Sequence, residues 1–219
     1  MNKIVIPILL IILLSFVSYF NIFQNEFVWD DYVFILDNSD IRSYSNLPLF
    51  FSEDVDGLYR PLRSMHYAFI YSFAGKNEFL YHFNSLFLHM IISILVFFII
   101  YEIISRRNVA LIAALIFAVH PIHTGRVTNI TAGFDLLGIF FMLLAFYFYI
   151  KYSKSNNEKI KIFLSIKSIS YFLYVKKYLL FSLLLFLIAV FASEEAIVLP
   201  LLVVLYEFCF NREKFIEKI

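Results

Sequence analysis

Phe83-Asn-Ser-Leu-Phe-Leu-His-Met-Ile-Ile-Ser-Ile-Leu-Val-Phe-Phe-Ile-Ile-Tyr-Glu-Ile-Ile104 carries no charge before Glu102 and is closed by Arg106-Arg107. About 20 apolar residues suffice for a helix to cross a bilayer, so this stretch is long enough. His82, Ser85 and His89 recur at i, i+3 and i+7, which draws one polar stripe along an apolar rod.

Similar runs lie on both sides. Ile4 to Phe20 follows Lys3 and ends in the bulky Val17-Ser-Tyr-Phe20, so it reads as an uncleaved first transmembrane helix rather than a signal peptide. Val109 to Val119 is apolar but short, and Pro121 should end or kink it. Thr131 to Ile150 is another full span, with Asp135 near its start. Tyr178 to Phe210 would reach roughly 50 Å as one straight helix, against a hydrocarbon core of roughly 30 Å. Ser193-Glu-Glu195 interrupts it, so two short helices with the glutamates at the turn are expected. The composition agrees: 62% hydrophobic, 16% charged, mean hydropathy +0.81. A soluble domain is about one quarter charged. A net charge of +1 gives no case for nucleic acid. The single cysteine, Cys209, excludes an intrachain disulfide and reads as a small packing residue.

The expected architecture is an all-α integral membrane domain over residues 1–219 with about six transmembrane helices, residues 21–82 forming a long first outer loop. Within that loop Pro61 to Phe73 reads as an interfacial amphipathic helix. Leu62, Met65, Phe69 and Phe73 form its apolar stripe, and Arg63 and Tyr67 lie on another side. A second interfacial helix is expected at Ile162 to Val175, inside a lysine-rich loop that starts at Lys151 and ends at Lys177. Lysine and arginine set the orientation. With both termini cytoplasmic, thirteen of the 18 fall inside and five outside, provided that 109–119 crosses. The first loop, the His120–Arg126 turn and the Glu194-Glu195 turn then share one outer face.

On that face the acidic pair Asp30-Asp31 stands among aromatic and branched residues, in Phe27-Val-Trp-Asp-Asp-Tyr32. Carboxylates there can serve as a general base or bind a divalent cation; a solvated loop acid or helix cap is the plainer alternative. Neighbouring residues point different ways, so one should reach a reaction centre and the other support it. Arg60 suits the phosphate of a lipid. Arg63 is expected to snorkel to headgroups. His120, His123 and Asp135 have weak metal-ligand spacing and are expected to hydrogen-bond within a polar cavity; His82 and His89 either join it or make helix–helix contacts, and Glu194 and Glu195 either join it or form a plain hairpin turn kept wet. The metal question stays open. The sequon Asn129-Ile-Thr131 lies too close to a span to be a convincing glycosylation acceptor.

Six motifs in order carry a family resemblance: Phe27-Val-Trp-Asp-Asp31, Tyr59-Arg-Pro-Leu62, Tyr81-His-Phe-Asn84 with His89, Phe117-Ala-Val-His-Pro-Ile-His-Thr124, Phe134-Asp-Leu-Leu137 and Ser193-Glu-Glu-Ala-Ile197 with Pro200. Together they resemble the N-terminal membrane part of the GT-C superfamily, and within it the transmembrane O-mannosyltransferases with tetratricopeptide repeats and their prokaryotic relatives. The resemblance implies an inverting glycosyltransferase with a polyprenyl-phosphate sugar as donor, mannose among the candidates, and a protein or glycan acceptor. It implies Asp30 as catalytic base, Asp31 as its partner, and Arg60 with Arg126 on the donor phosphate. The membrane would be cytoplasmic in a prokaryote and the endoplasmic reticulum in a eukaryote. Three departures matter. Phe134 stands where relatives often have arginine, and Glu194 where they often have lysine. Relatives also continue with further helices. A non-catalytic or truncated relative that binds lipid-linked sugar or a partner enzyme, with a second polypeptide completing the fold, is therefore a rival reading. A small transporter is a third, but no inverted repeat supports it.

Overall fold

The computed structural model describes residues 4–162 and 169–211. Among these residues helices dominate and no strand forms. The helices are α1 (Val5–Tyr19), α2 (Pro61–Ala74), α3 (Glu78–Ile104), α4 (Arg107–Val119), α5 (Thr124–Thr128), α6 (Ile130–Phe134), α7 (Leu136–Ile162), α8 (Ile169–Ala192) and α9 (Leu199–Phe210). Three stretches are long and apolar enough to cross a membrane: Val5–Gln24, Glu78–Ile104 and Ile130–Ser155. Arg107–Val119 and Pro121–Thr128 add a fourth if their 46° bend is one broken span. Pro121 makes that bend as expected, since it has no N–H for the preceding turn.

The break expected at Ser193 is present. The Ser193 hydroxyl accepts from the Glu195 N–H, and a 3₁₀ turn over Glu194–Val198 leads into α9. Two expectations change. The region beginning at Lys151 is not a loop, because α7 runs on to Ile162 without a proline or glycine to stop it. The expected helix at 162–175 falls partly on residues 163–168, which lie outside the described residues; from Ile169 the chain is already α8. Cys209 also departs from expectation. It is exposed on α9 instead of packed.

Small residues set the tight contacts. Ala110, Ala114 and Ala118 recur every fourth residue of α4 and are fully buried against Ile11 of α1 and Phe97 of α3. A stripe of small side chains lets helix backbones approach closely, which is how helices associate in lipid. Gly133 serves the same end between α6 and α3: a Cβ there would meet the Ser85 hydroxyl at 2.0 Å. The first loop is ordered by a core of its own. Phe27, Phe34, Ile41 and Phe50 pack with Tyr67 of α2 and Phe134 of α6, so the loop forms a cap over one end of the bundle.

Candidate active site

The cap holds the acidic pair in a turn. The Asp31 N–H donates to the Val28 carbonyl at 3.0 Å. The fully buried Asp31 carboxylate accepts from the Val28 N–H at 2.9 Å on one oxygen. Its other oxygen accepts from the Thr131 N–H at 2.9 Å and from the Thr131 hydroxyl. Three donors satisfy an anion that would otherwise be costly to bury. Asp31 thereby ties the first loop to α6, and Asp30 is left exposed on a cavity. The two neighbouring acids thus differ in burial. Trp29 has φ +49, which is uncommon for a bulky residue, and its side chain is 83% exposed on the same cavity.

α2 brings in the cations. Pro61 at its first position fixes the helix start and leaves Arg60 just before it. The helix turns part of its apolar stripe outward and its polar side inward, against the protein. Phe69 and Phe73 point outward at 56% exposure each, while Arg63, Tyr67 and Ile70 are buried. Arg63 therefore does not snorkel. Its Nε donates to the Tyr67 hydroxyl at 3.0 Å, its Nη1 lies 3.1 Å from Asp135 Oδ1, and its guanidinium sits 5.0 Å over the Phe34 ring. Burial beside a carboxylate and an aromatic face replaces the water that snorkelling would have sought.

Asp135, at the α6–α7 junction, is the hub. Arg60 Nη1 donates to its Oδ1 at 3.0 Å, and Arg126 Nη1, from α5, donates to its Oδ2 at 2.7 Å. The turn after α8 adds two acids. Glu194 accepts from Arg60 Nε at 2.6 Å and also from its Nη2; Glu195 accepts from Arg126 Nη2. Three arginines thus face three carboxylates. Burial opposes the Arg60 charge, but Glu194 and Asp135 outweigh it and hold the guanidinium above its ordinary pKa. The hydrogen bond from Arg60 in turn draws Glu194 below the usual carboxylate range. Gly138 permits this closure, because a Cβ there would lie 2.6 Å from Ser193 Cβ.

One open cavity of about 750 Å³ joins these features; Trp29, Asp30, Arg60, Arg63, Thr131 and Asp135 line it. The histidines expected in a polar cavity do not line it. His82 Nε2 lies 3.1 Å from the Asn25 carbonyl and His89 Nε2 2.9 Å from the Ala118 carbonyl, both as buried packing contacts. The His120 ring accepts from the Ile122 N–H at 3.2 Å, and His123 packs on Phe117. His82 and His89 are buried on backbone carbonyls, while His120 is exposed in the turn after α4. Glu194 and Glu195 serve the arginines instead of lining the cavity. Among the described residues no group of three or more His, Cys, Asp or Glu side chains is placed to hold a metal ion. Asn129 caps α6 by accepting from the Ala132 N–H at 2.8 Å, and Thr131 is buried on Asp31, so the sequon is structural.

Sequence reasoning passed over Arg63 and Thr131 as site residues. The signal for Arg63 was present: it and Tyr67 stand at i and i+4, off the apolar stripe. Thr131 had none, since its partner is 100 residues away.

The family of dolichyl-phosphate-mannose-protein mannosyltransferases matches residues 64–207. The chain belongs to this family. The match includes Arg126, Asp135 and Glu194 and begins beyond Asp30, Asp31, Arg60 and Arg63. Among relatives, the protein O-mannosyl-transferase TMTC3 of Mus musculus is 32% identical over 150 residues, covering 64% of this chain and 16% of its own length. TMTC1 of Homo sapiens is 31% identical over 147 residues, 62% of this chain and 16% of the relative. F38B6.6 of Caenorhabditis elegans is 28% identical over 162 residues, 68% of this chain and 24% of the relative. The chain thus spans roughly a sixth to a quarter of their length. No solved structure matches it. Family and apolar helices together make this a membrane protein.

Proposed function

We propose that this chain provides the donor-binding and catalytic face of an inverting glycosyltransferase that moves a sugar from polyprenyl phosphate to a protein hydroxyl. The relatives' names point to mannose as the sugar. The observation that carries this reading is the sharing of one cavity by exposed Asp30 and the Arg60–Arg63–Asp135 cluster. A carboxylate and a cationic wall suit the two ends of a displacement at an anomeric carbon. Asp30 takes the proton of the acceptor hydroxyl as its oxygen attacks that carbon. The carbon–oxygen bond to the phosphate breaks with its electron pair on the leaving phosphate. Arg60, with Arg126 behind it, stabilises the charge that develops there. Asp31 is a positioning residue that fixes the turn. Six crossings with both termini cytoplasmic would put the cavity on the outer face, where a lipid-linked sugar and a translocated protein meet.

The test is a transfer assay on purified chain in lipid, with radiolabelled polyprenyl-phosphate sugars and protein acceptors. Wild type transfers label and Asp30→Asn loses roughly 10²–10⁴-fold of the rate. Equal rates for the two would remove Asp30 from the chemistry. A second reading, a donor-binding subunit that acts with another polypeptide, draws on the pairing of every arginine in the cluster with a carboxylate. Donor binding without transfer in the same sample selects it.

A further inference from the structure

Arg60 is the candidate phosphate-binding residue, yet all three of its guanidinium nitrogens are already engaged. Nη1 holds Asp135 at 3.0 Å, while Nε, at 2.6 Å, and Nη2 grip the two carboxylate oxygens of Glu194. The two partners differ in kind. The Asp135 side chain is 9% exposed and shared with Arg63 and Arg126; the Glu194 side chain is 59% exposed against 13% for Arg60. Breaking the Asp135 contact would strand a buried charge, whereas Glu194 can return to water. Glu194 also sits in a short 3₁₀ turn, where its only other hydrogen bond among the described contacts is the local one to its own backbone N–H.

We propose that Glu194 is the residue that sets the charge of the donor: its carboxylate holds the phosphate position on Arg60 and swings out when a donor enters. The inference rests on the donor-phosphate reading of Arg60. A phosphodiester offers two non-bridging oxygens, which fit the same Nε–Nη2 edge that two carboxylate oxygens now occupy. It brings one negative charge to replace the one displaced. Three arginines against Asp135, Glu195 and one phosphodiester remain balanced. A diphosphate brings at least one charge more, with the displaced Glu194 and the paired Asp135 and Glu195 close by, and is repelled. Glu194 thereby selects singly charged phosphodiester donors over diphosphate-linked ones.

The test is equilibrium binding to the full chain in lipid nanodiscs. A short-chain polyprenyl-phosphate mannose and its diphosphate-linked counterpart are titrated onto wild type, Glu194→Gln, Glu194→Asp and Arg60→Ala, each with its elution profile checked. Glutamine keeps the size and removes the charge, so phosphodiester affinity rises about threefold, the scale of an exposed ion pair. Diphosphate affinity rises more, about tenfold, and the preference narrows. Glu194→Asp keeps the charge and the preference. Wild-type affinities and preference in Glu194→Gln, with binding lost in Arg60→Ala, overturn the inference and leave the donor site standing. Weaker binding in a well-behaved Glu194→Gln overturns it too, since the glutamate would then be holding Arg60 in place. Undiminished binding in Arg60→Ala removes the phosphate site itself.

Discussion

Asp31 and Asp30 are neighbours with opposite duties, and their surroundings make the difference measurable. Asp31 is buried under three donors; replacing it by alanine leaves the Val28 and Thr131 N–H groups without their anion. Hydrogen bonds to a charged group contribute about 1.5–3 kcal/mol each, so Asp31→Ala should lower stability by about 3 kcal/mol or more. Asp30→Asn touches only the cavity and should stay within about 0.5 kcal/mol of wild type. Thermal unfolding followed by the fluorescence of Trp29, the sole tryptophan, separates the two. His66 gives a pH signature. Burial holds it near pKa 4 although Asn84 bonds its ring at 3.0 Å, against an ordinary 6.5. The unfolded chain therefore takes up a proton that the folded one refuses between pH 6.5 and 4. On this account alone stability should fall by up to about 3 kcal/mol as pH drops through that window, and His66→Gln should remove that share of the fall.

At the scale of elements, glycines and proline decide how the site closes. Gly138 lets the Ser193 turn sit against α7, and that turn delivers Glu194 and Glu195 to their arginines. Gly138→Ala forces the turn back from a Cβ contact of 2.6 Å. The overpacking should cost about 1–3 kcal/mol in a thermal unfolding measurement and loosen both ion pairs. If unfolding is unchanged, the close approach is not what seats the turn. The α2 helix shows why an apolar stripe is an ambiguous signal in a membrane protein. In water, Leu62, Met65, Phe69 and Phe73 would face the core. Here Phe69 and Phe73 face out, and the polar side holding Arg63 and Tyr67 packs inward.

At the scale of the whole molecule, the cavity is assembled from the first loop, the start of α2, the α5–α6 region and the turn after α8. Because Trp29 lines it, donor binding should shift or quench the intrinsic fluorescence of wild type, and Arg60→Ala should not respond at the same concentration. The proposed orientation has its own check. In a Cys209→Ser background, Ser45→Cys lies in the exposed first loop and should react with a membrane-impermeant maleimide added from the outer side. Labelling only after the inner side is opened would reverse the topology.

Much of this was legible in the order of residues. Hydropathy alone marks the long spans, because crossing lipid requires a run of a set length whatever it packs against. Pro121 and Ser193 mark their breaks through purely local chemistry, and Pro61 marks the start of α2. The separation of Asp30 from Asp31 follows from adjacency. Tertiary structure alone decided the pairings: Arg60 with Glu194 across 134 residues, Asp31 with Thr131 across 100, and three arginines on one aspartate. Charge attracts charge at any sequence separation, so no local pattern names the partner. That the polar side of α2 is covered by Phe34 and Asp135 was also beyond the sequence, since periodicity reports that a helix has two sides but not what packs on the polar one.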